Sequence, residues 1–219
     1  MWSPLVAELD PGLRLLIPDL PGHDRSGSIP YRSHDETLDH LIPLIEAEAS
    51  EAVAVVGFSL GAQLAILLAA RRPDLVRDVI VISAQAKPSS FPGLTLALLG
   101  LAAPLARNER FARVQARELF IPETLTHDYL RTSKGIAKAT LLASVGANIR
   151  FTVPDGWGAF PGRSLILAGG RERPLMRASA RLIADARPGT ELEIVEDCGH
   201  GIPLQRPGWL ARRLDSLLR

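Results

Sequence analysis

Val53-Ala54-Val55-Val56-Gly57-Phe58-Ser59-Leu60-Gly61 is the stretch on which the reading of this chain turns. An apolar, Val-rich run enters a Gly-x-Ser-x-Gly, and an Ala/Leu-rich segment, residues 62–71, leaves it before Pro73. The run reads as a strand and the Ala/Leu segment as a helix that the proline stops. A serine at such a sharp strand-to-helix turn is held in strained dihedrals that lift its hydroxyl clear of a sheet. Small residues at 57 and 61 are expected to let neighbouring backbone approach. The helix start behind Ser59, beginning with the Leu60 N–H, offers free donors and a positive dipole end to a developing oxyanion. A glycine-rich turn with an incidental serine is the plainer alternative, but strand before and helix after favour a nucleophile. No Gly-Lys-Ser/Thr follows, so the motif is not a phosphate loop.

Outward from this turn, short runs of Val, Ile and Leu recur at residues 13–17, 79–82, 165–168 and 192–195, each bounded by Gly, Pro, Asp or Ser. Such runs suit strands buried on both faces of a parallel sheet. Helical patterns lie between them. Ser33 and Glu36 have capping-box spacing, and Leu38, Leu41, Ile42 and Ile45 share one face behind them. Pro43 inside that pattern predicts a kink or an early end. Residues 175–186 and 205–218 are also amphipathic at helical spacing. Strand and helix in alternation predict an α/β fold, a mostly parallel sheet flanked by helices. The rhythm breaks between residues 83 and 165, where residues 91–106, 109–120, 122–131 and 133–147 all read as helices. The expected organisation is a core of residues 1–86 and 157–219, with a helical cap insertion of residues 87–156. Long insertions in such folds are usually functional.

A serine nucleophile needs a base, because its free hydroxyl is weak. The histidines are His23, His34, His40, His127 and His200. His200 lies in Cys198-Gly199-His200-Gly201, after the last apolar run, and so at the same sheet edge as Ser59. His34 and His40 fall in or beside a surface helix, and His127 in the insertion. A carboxylate should orient the histidine, and the chain order Ser, acid, His puts it after residues 165–168. That loop is Gly169-Gly170-Arg171-Glu172-Arg173-Pro174, with Glu172 its one carboxylate. A solvated Glu172 paired with Arg171 or Arg173 is the competing arrangement, and Asp197 is the next carboxylate to consider.

Composition narrows the function classes. The chain has 219 residues, 47% apolar and 22% charged, an ordinary globular balance rather than a disordered one. Twenty-five basic residues against twenty-four acidic ones give no electrostatic support for a nucleic-acid partner. One cysteine, Cys198, excludes a disulfide framework and a cysteine zinc site. No metal or organic cofactor is implied. Residues 94–106 are apolar but too short to span a membrane, which takes about 20 residues, and read as a buried or half-buried helix. Trp157, Trp209, Phe111 and Phe120 read as core or cap packing. Arg107, Arg110, Arg113 and Arg117, at helical spacing, read as a solvated face. The start, Met-Trp-Ser-Pro, lacks the basic region of a secretory signal, so a reducing cytoplasm is the default expectation.

Taken together, Pro18-Asp19-Leu20-Pro21-Gly22-His23-Asp24-Arg25-Ser26-Gly27, the elbow at Ser59, the Glu172 loop and the Gly199-His200 ending resemble the α/β-hydrolase superfamily. The likeness spans essentially the whole chain and is to the cap-bearing esterase, lactonase and carbon–carbon hydrolase branch. It implies that the segment beginning Pro18-Asp19 shapes the floor of the site, with Asp24 standing where a glycine is usual. It also implies a strand and a His-Gly loop before a segment like Trp2-Ser3-Pro4, supplying a second oxyanion donor beside Leu60. The chain begins after that loop, so the expectation is a truncated or catalytically weakened relative. An edge strand missing from the sheet would expose pairing groups and favour a homo-oligomer. The implied activity is a serine hydrolase acting on an ester-type bond of a small, partly hydrophobic substrate through an acyl-enzyme on Ser59, His200 and Glu172. Carbon–carbon hydrolysis or acyl transfer on the same scaffold is an alternative. An inactive ligand-binding or interaction protein is another.

Overall fold

The computed structural model describes residues 1–103 and 108–218. Among them, β1 (Val53–Phe58), β2 (Val76–Ile82), β3 (Arg163–Gly169) and β4 (Glu191–Val195) form one sheet in that order, every pair parallel. Phe58 pairs with Ile82, Ile82 with Leu167, and Gly169 with Val195, so the carboxyl ends of all four strands line up along one edge.

Both faces of the sheet are covered, and the strand period of two divides the core accordingly. Val79 and Val81 of β2 and Ile166 and Ala168 of β3 pack with α2 (His34–Glu48), α3 (Leu60–Arg71) and α8 (Pro174–Asp185). The alternate residues Ile80, Ile82, Leu165 and Leu167 pack with Leu5 of α1 (Ser3–Val6), Ile202 of α9 (Ile202–Gln205) and Leu210 and Leu214 of α10 (Pro207–Leu218). These eight strand residues are at most 1% exposed. Such two-sided burial is why the strands read as continuous apolar runs.

Residues 13–17 carry the same apolar signal and form no strand. Leu15, Leu16 and Ile17 are 41–46% exposed. A strand exists only through a ladder partner, and no described strand pairs with this segment. The matching feature is at β1, which pairs with β2 alone and whose residues 53–56 are only half-buried.

Pro43 neither ends nor divides α2, which runs on to Glu48. It sits on the exposed face beside exposed Asp39, so the carbonyl its ring leaves unpaired meets water, while Leu38 and Ile42 anchor the other face. The start of α2 follows its capping signal, with Ser33 Oγ accepting from the Glu36 N–H at 3.1 Å.

Between β2 and β3 the chain makes a helical excursion of α4 (Pro92–Ala102), α5 (Glu109–Glu118), α6 (Glu123–Gly135) and α7 (Lys138–Arg150). α4 packs on α7 and α5 on α6. The break between α6 and α7 falls at Ile136–Ala137, after Gly135, rather than at the expected residue 132. α4 has no buried residue, and Phe91, Leu94, Leu98 and Leu101 are 58–78% exposed. The rest of the predicted helix of residues 91–106 lies partly outside the described residues, as does Arg107. The chain re-enters the core through fully buried Trp157, whose Nε1 donates to the Ile183 carbonyl at 2.9 Å. Among the described residues no helix is long and apolar enough to cross a membrane.

Candidate active site

Ser59 has φ 54° and ψ −115°, the strained left-handed turn that its motif demands. Its N–H donates to the Ile82 carbonyl of β2 at 2.9 Å, which ties the turn to the sheet edge. Gly57 is required by close approach: a Cβ there would overlap the Gly61 carbonyl and lie 2.6 Å from Ala62 Cα. Gly61 differs from expectation, since a Cβ on it would meet nothing within 4 Å. Leu60 is the first residue of α3, so its N–H has no carbonyl a turn behind it.

His200 stands on the loop between β4 and α9. Its Nε2 is 3.0 Å from Ser59 Oγ, and its Nδ1 is 2.6 Å from Glu172 Oε1. Glu172 is 5% exposed, and its second oxygen accepts the Gly169 N–H at 2.9 Å. The Arg177 guanidinium donates to the carbonyls of Gly170, at 3.0 Å, and Glu172, holding the loop beneath the carboxylate. A Cβ on Gly169 would overlap the carbonyls of Cys198 and Gly199, so the end of β3 lies directly against the histidine loop. The Phe58 ring, 5.2 Å from the imidazole between centroids, backs it on another side. About a third of the His200 side chain remains exposed.

The two candidate carboxylates differ in exposure. Arg171 pairs with Asp197 at 2.7 Å, both side chains about two-thirds exposed, which leaves Glu172 turned inward. The remaining histidines stand elsewhere. His23 Nδ1 lies 2.9 Å from the Pro21 carbonyl. His40 is exposed, and His127 lines a cavity of about 670 Å³ between α5 and α6 together with Arg113, Glu123, Thr126, Leu130, Arg131 and Lys134. Ser59, His200 and Glu172 do not line that cavity. Among the described residues no three His, Cys, Asp or Glu side chains gather as a metal would need.

His34 opens the surface helix α2, as expected, but its own side chain is buried. Its Nε2 meets Gln63 Oε1 at 2.8 Å, and its Nδ1 meets the Tyr31 hydroxyl. Gln63 Nε2 in turn donates to the carbonyls of Gln85, at 2.6 Å, and Asn148, at 3.1 Å. Because the amide nitrogen is spent on carbonyls, Oε1 must accept from His34 Nε2–H, and Nδ1 then accepts from the tyrosine. Burial pushes the His34 imidazole below its usual range and the Tyr31 phenol up to about 12, so both stay neutral. The chain of bonds joins α2, α3, the loop after β2 and α7. Sequence reasoning missed it; the one signal was a lone amide within an Ala/Leu helix.

Two further contacts bridge the helical excursion to the core. Arg131 of α6 holds Asp24 at 2.6 Å, and that hydrogen bond lowers the Asp24 carboxyl below its ordinary range. Phe120, expected as packing, is 37% exposed and lies against Gly199 and Gly201.

A serine, an imidazole and a carboxylate in hydrogen-bond sequence along the carboxyl edge of a parallel sheet are the working parts of an α/β hydrolase. The chain belongs to the alpha/beta hydrolase family, whose model matches residues 1–213, and is an alpha/beta-hydrolase enzyme. It is 28% identical over 240 aligned positions to the pimeloyl-[acyl-carrier protein] methyl ester esterase of Aromatoleum aromaticum, an alignment covering 100% of this chain and 93% of that protein. It is 23% identical to the 2-hydroxymuconate semialdehyde hydrolase of Pseudomonas sp., over 99% of this chain and 80% of that one. Its fold is shared with a thermophilic esterase from Thermogutta terrifontis, with a TM-score of 0.78 at 20% identity, covering 100% of this chain and 84% of that one.

Proposed function

We propose that the chain is a serine hydrolase that cleaves an ester-type bond of a small, partly hydrophobic molecule through an acyl-enzyme. The observation that carries this reading is the relay Ser59–His200–Glu172, at 3.0 and 2.6 Å. Glu172 accepts from Nδ1–H, which leaves the Nε2 lone pair facing Ser59 Oγ. Nε2 takes the hydroxyl proton as Oγ bonds to the carbonyl carbon. The carbonyl π electrons move onto oxygen, and the Leu60 N–H and the α3 dipole favour that charge. Collapse expels the alcohol, which leaves with the proton from Nε2. Water then gives a proton to Nε2 as its oxygen bonds to the acyl carbon, and collapse breaks the bond to Oγ, which takes the proton back from Nε2 as the acid is freed. No step needs a cofactor.

In this reading residues 87–156 act as a cap that shapes the pocket, and their apolar character favours a hydrophobic group in the substrate. The relative named as a methyl ester esterase supports the ester preference. The half-open edge of β1 supports self-association, and a lone buried thiol, Cys198, suits a cytoplasmic setting. The test is labelling with a fluorophosphonate probe, read by peptide mass. Adduct on Ser59 is the expected result. A folded sample that stays unlabelled would overturn the reading in favour of an inactive binding protein.

A further inference from the structure

We infer that Phe120 is a positioning residue for His200, the contact through which the helical excursion sets the histidine loop. The inference rests on the serine-hydrolase reading above. Phe120 occupies the turn between α5 and α6, where its N–H donates to the Arg117 carbonyl at 3.0 Å and the Ile121 N–H to the Ala116 carbonyl at 2.8 Å. Its φ is +59°, the left-handed position that helix ends normally give to glycine. A bulky aromatic there is uncommon and is held only where its surroundings fix it.

What fixes it is the loop that carries His200. A Cβ on Gly199 would lie 2.5 Å from Phe120 Cζ and 2.9 Å from Cε2. A Cβ on Gly201 would lie 2.8 Å from Phe120 Cβ and 3.2 Å from Cδ2. Neither glycine is among the described positive-φ residues, and Gly201 has φ −87°, so backbone conformation gives no reason for glycine at either place. The aromatic ring gives one. It lies along both residues that flank His200, while Gly169 of β3 closes on the carbonyls of Cys198 and Gly199. The loop is thus clamped between the sheet and one side chain of the excursion. The Gly199 N–H also donates to Gln205 Oε1 at 2.9 Å, and the Arg171 N–H to the Cys198 carbonyl at 2.9 Å. The imidazole must hold its place against Ser59 within fractions of an ångström, and misplacement by about 1 Å costs ~10²-fold in rate.

The test is a double-mutant cycle on the full chain with a short p-nitrophenyl ester. Gly199→Ala should lower kcat about 10- to 100-fold with little change in KM, because the new methyl pushes the ring and loop apart. Phe120→Ala should also lower kcat, whereas Phe120→Tyr, which keeps the ring, should stay near wild type. In the Phe120→Ala background the further change Gly199→Ala should cost less than about threefold, since the obstacle is gone. Leu119→Ala, in the same turn, is the control and should leave kcat in place. Equal costs of Gly199→Ala in both backgrounds would overturn the inference. Should Gly199→Ala fail to accumulate as folded protein, the expected result is recovery on adding Phe120→Ala, and insolubility of both would overturn it. Fluorophosphonate labelling of the wild type keeps the two readings apart. If the wild type does not label, the serine-hydrolase reading fails. The cycle read in Tm then decides whether Phe120 holds the loop, and additive Tm changes reject that as well.

Discussion

The sheet and the helical excursion between β2 and β3 are built in different ways. Residues of β2 and β3 are sealed on both faces, and their places follow from apolar burial that no local change in solvent or charge can easily redirect. The excursion instead shows α4 with no buried residue; α7 leads into the core at buried Phe151, and side-chain joints to the core include Gln63 with Asn148, Arg131 with Asp24, and Phe120 with the His200 loop. In the proposed reading the relay of Ser59, His200 and Glu172 stands at the edge of the sheet, and the parts that shape the pocket and set His200 belong to the excursion. Packed cores resist displacement while thinly anchored segments open at lower free energy, so the division suits a site that must be rigid at its reacting atoms and adjustable around them.

The sharpest break in that comparison comes from changes confined to the reacting atoms. Ser59→Ala should remove ester turnover by about 10⁴-fold or more while leaving unfolding by urea nearly unchanged. Ser59 is held by its backbone bond to Ile82, which alanine keeps. Turnover retained in the mutant would mean that the hydroxyl is not the nucleophile. Next in size, Glu172→Gln keeps the shape and should lower turnover by ~10²–10⁴-fold, because the imidazolium loses its counter-charge. Asp197→Asn is the paired comparison. Asp197 sits in solvent on Arg171, so its loss should leave turnover where it was. Equal effects at the two carboxylates would sink the distinction drawn between them.

Gln63 tests the joint between the two regions. Gln63→Ala leaves the buried His34 Nε2–H and the Gln85 carbonyl without their side-chain partner and removes one of the donors to the Asn148 carbonyl. Losing such a partner costs about 1–3 kcal/mol, read as a lower urea midpoint. Because Asn148 is on α7, protection from hydrogen exchange should fall more in α7 than in β3. Uniform loss across both would show that the joint is no more than part of the common core.

Why these features differ in legibility follows from the same division. The four strands, the elbow and the order of Ser59, Glu172 and His200 are local patterns, and two-sided burial writes β2 and β3 as apolar runs between Gly, Pro and Asp. Residues 13–17 carry a similar apolar run without becoming a strand, because pairing depends on a neighbour that local pattern does not encode. Pro43 misled for a related reason, since its cost depends on whether the freed carbonyl meets water. Gln63 with Asn148 and Phe120 with Gly199 are separated by about eighty residues each, and no periodicity links them. The nearest sequence clue to the second was two glycines beside His200 whose turn needs neither.

The smallest expected effect is at Asp24, where backbone and charge oppose each other. Its φ of +39° is unfavourable for most side chains, and glycine would relieve it. Its carboxylate, however, holds Arg131 of α6. Asp24→Asn separates the two, because asparagine tolerates the left-handed region nearly as well but carries no charge. The sign of the pH dependence follows from the lowered Asp24 carboxyl, whose first cause is the Arg131 hydrogen bond. A group whose folded pKa lies below its unfolded one stabilises above the unfolded value and loses that stability as pH falls through the folded one. The wild type should therefore melt slightly above Asp24→Asn at neutral pH. The gap should close as the solution is acidified through and below the ordinary carboxylate range. The pair is exposed, so about 1 M salt, with a Debye length near 3 Å, should also close it. A gap that survives both acid and salt would assign the difference to the backbone turn. The Arg131 contact would then be incidental to how the excursion is joined to the core.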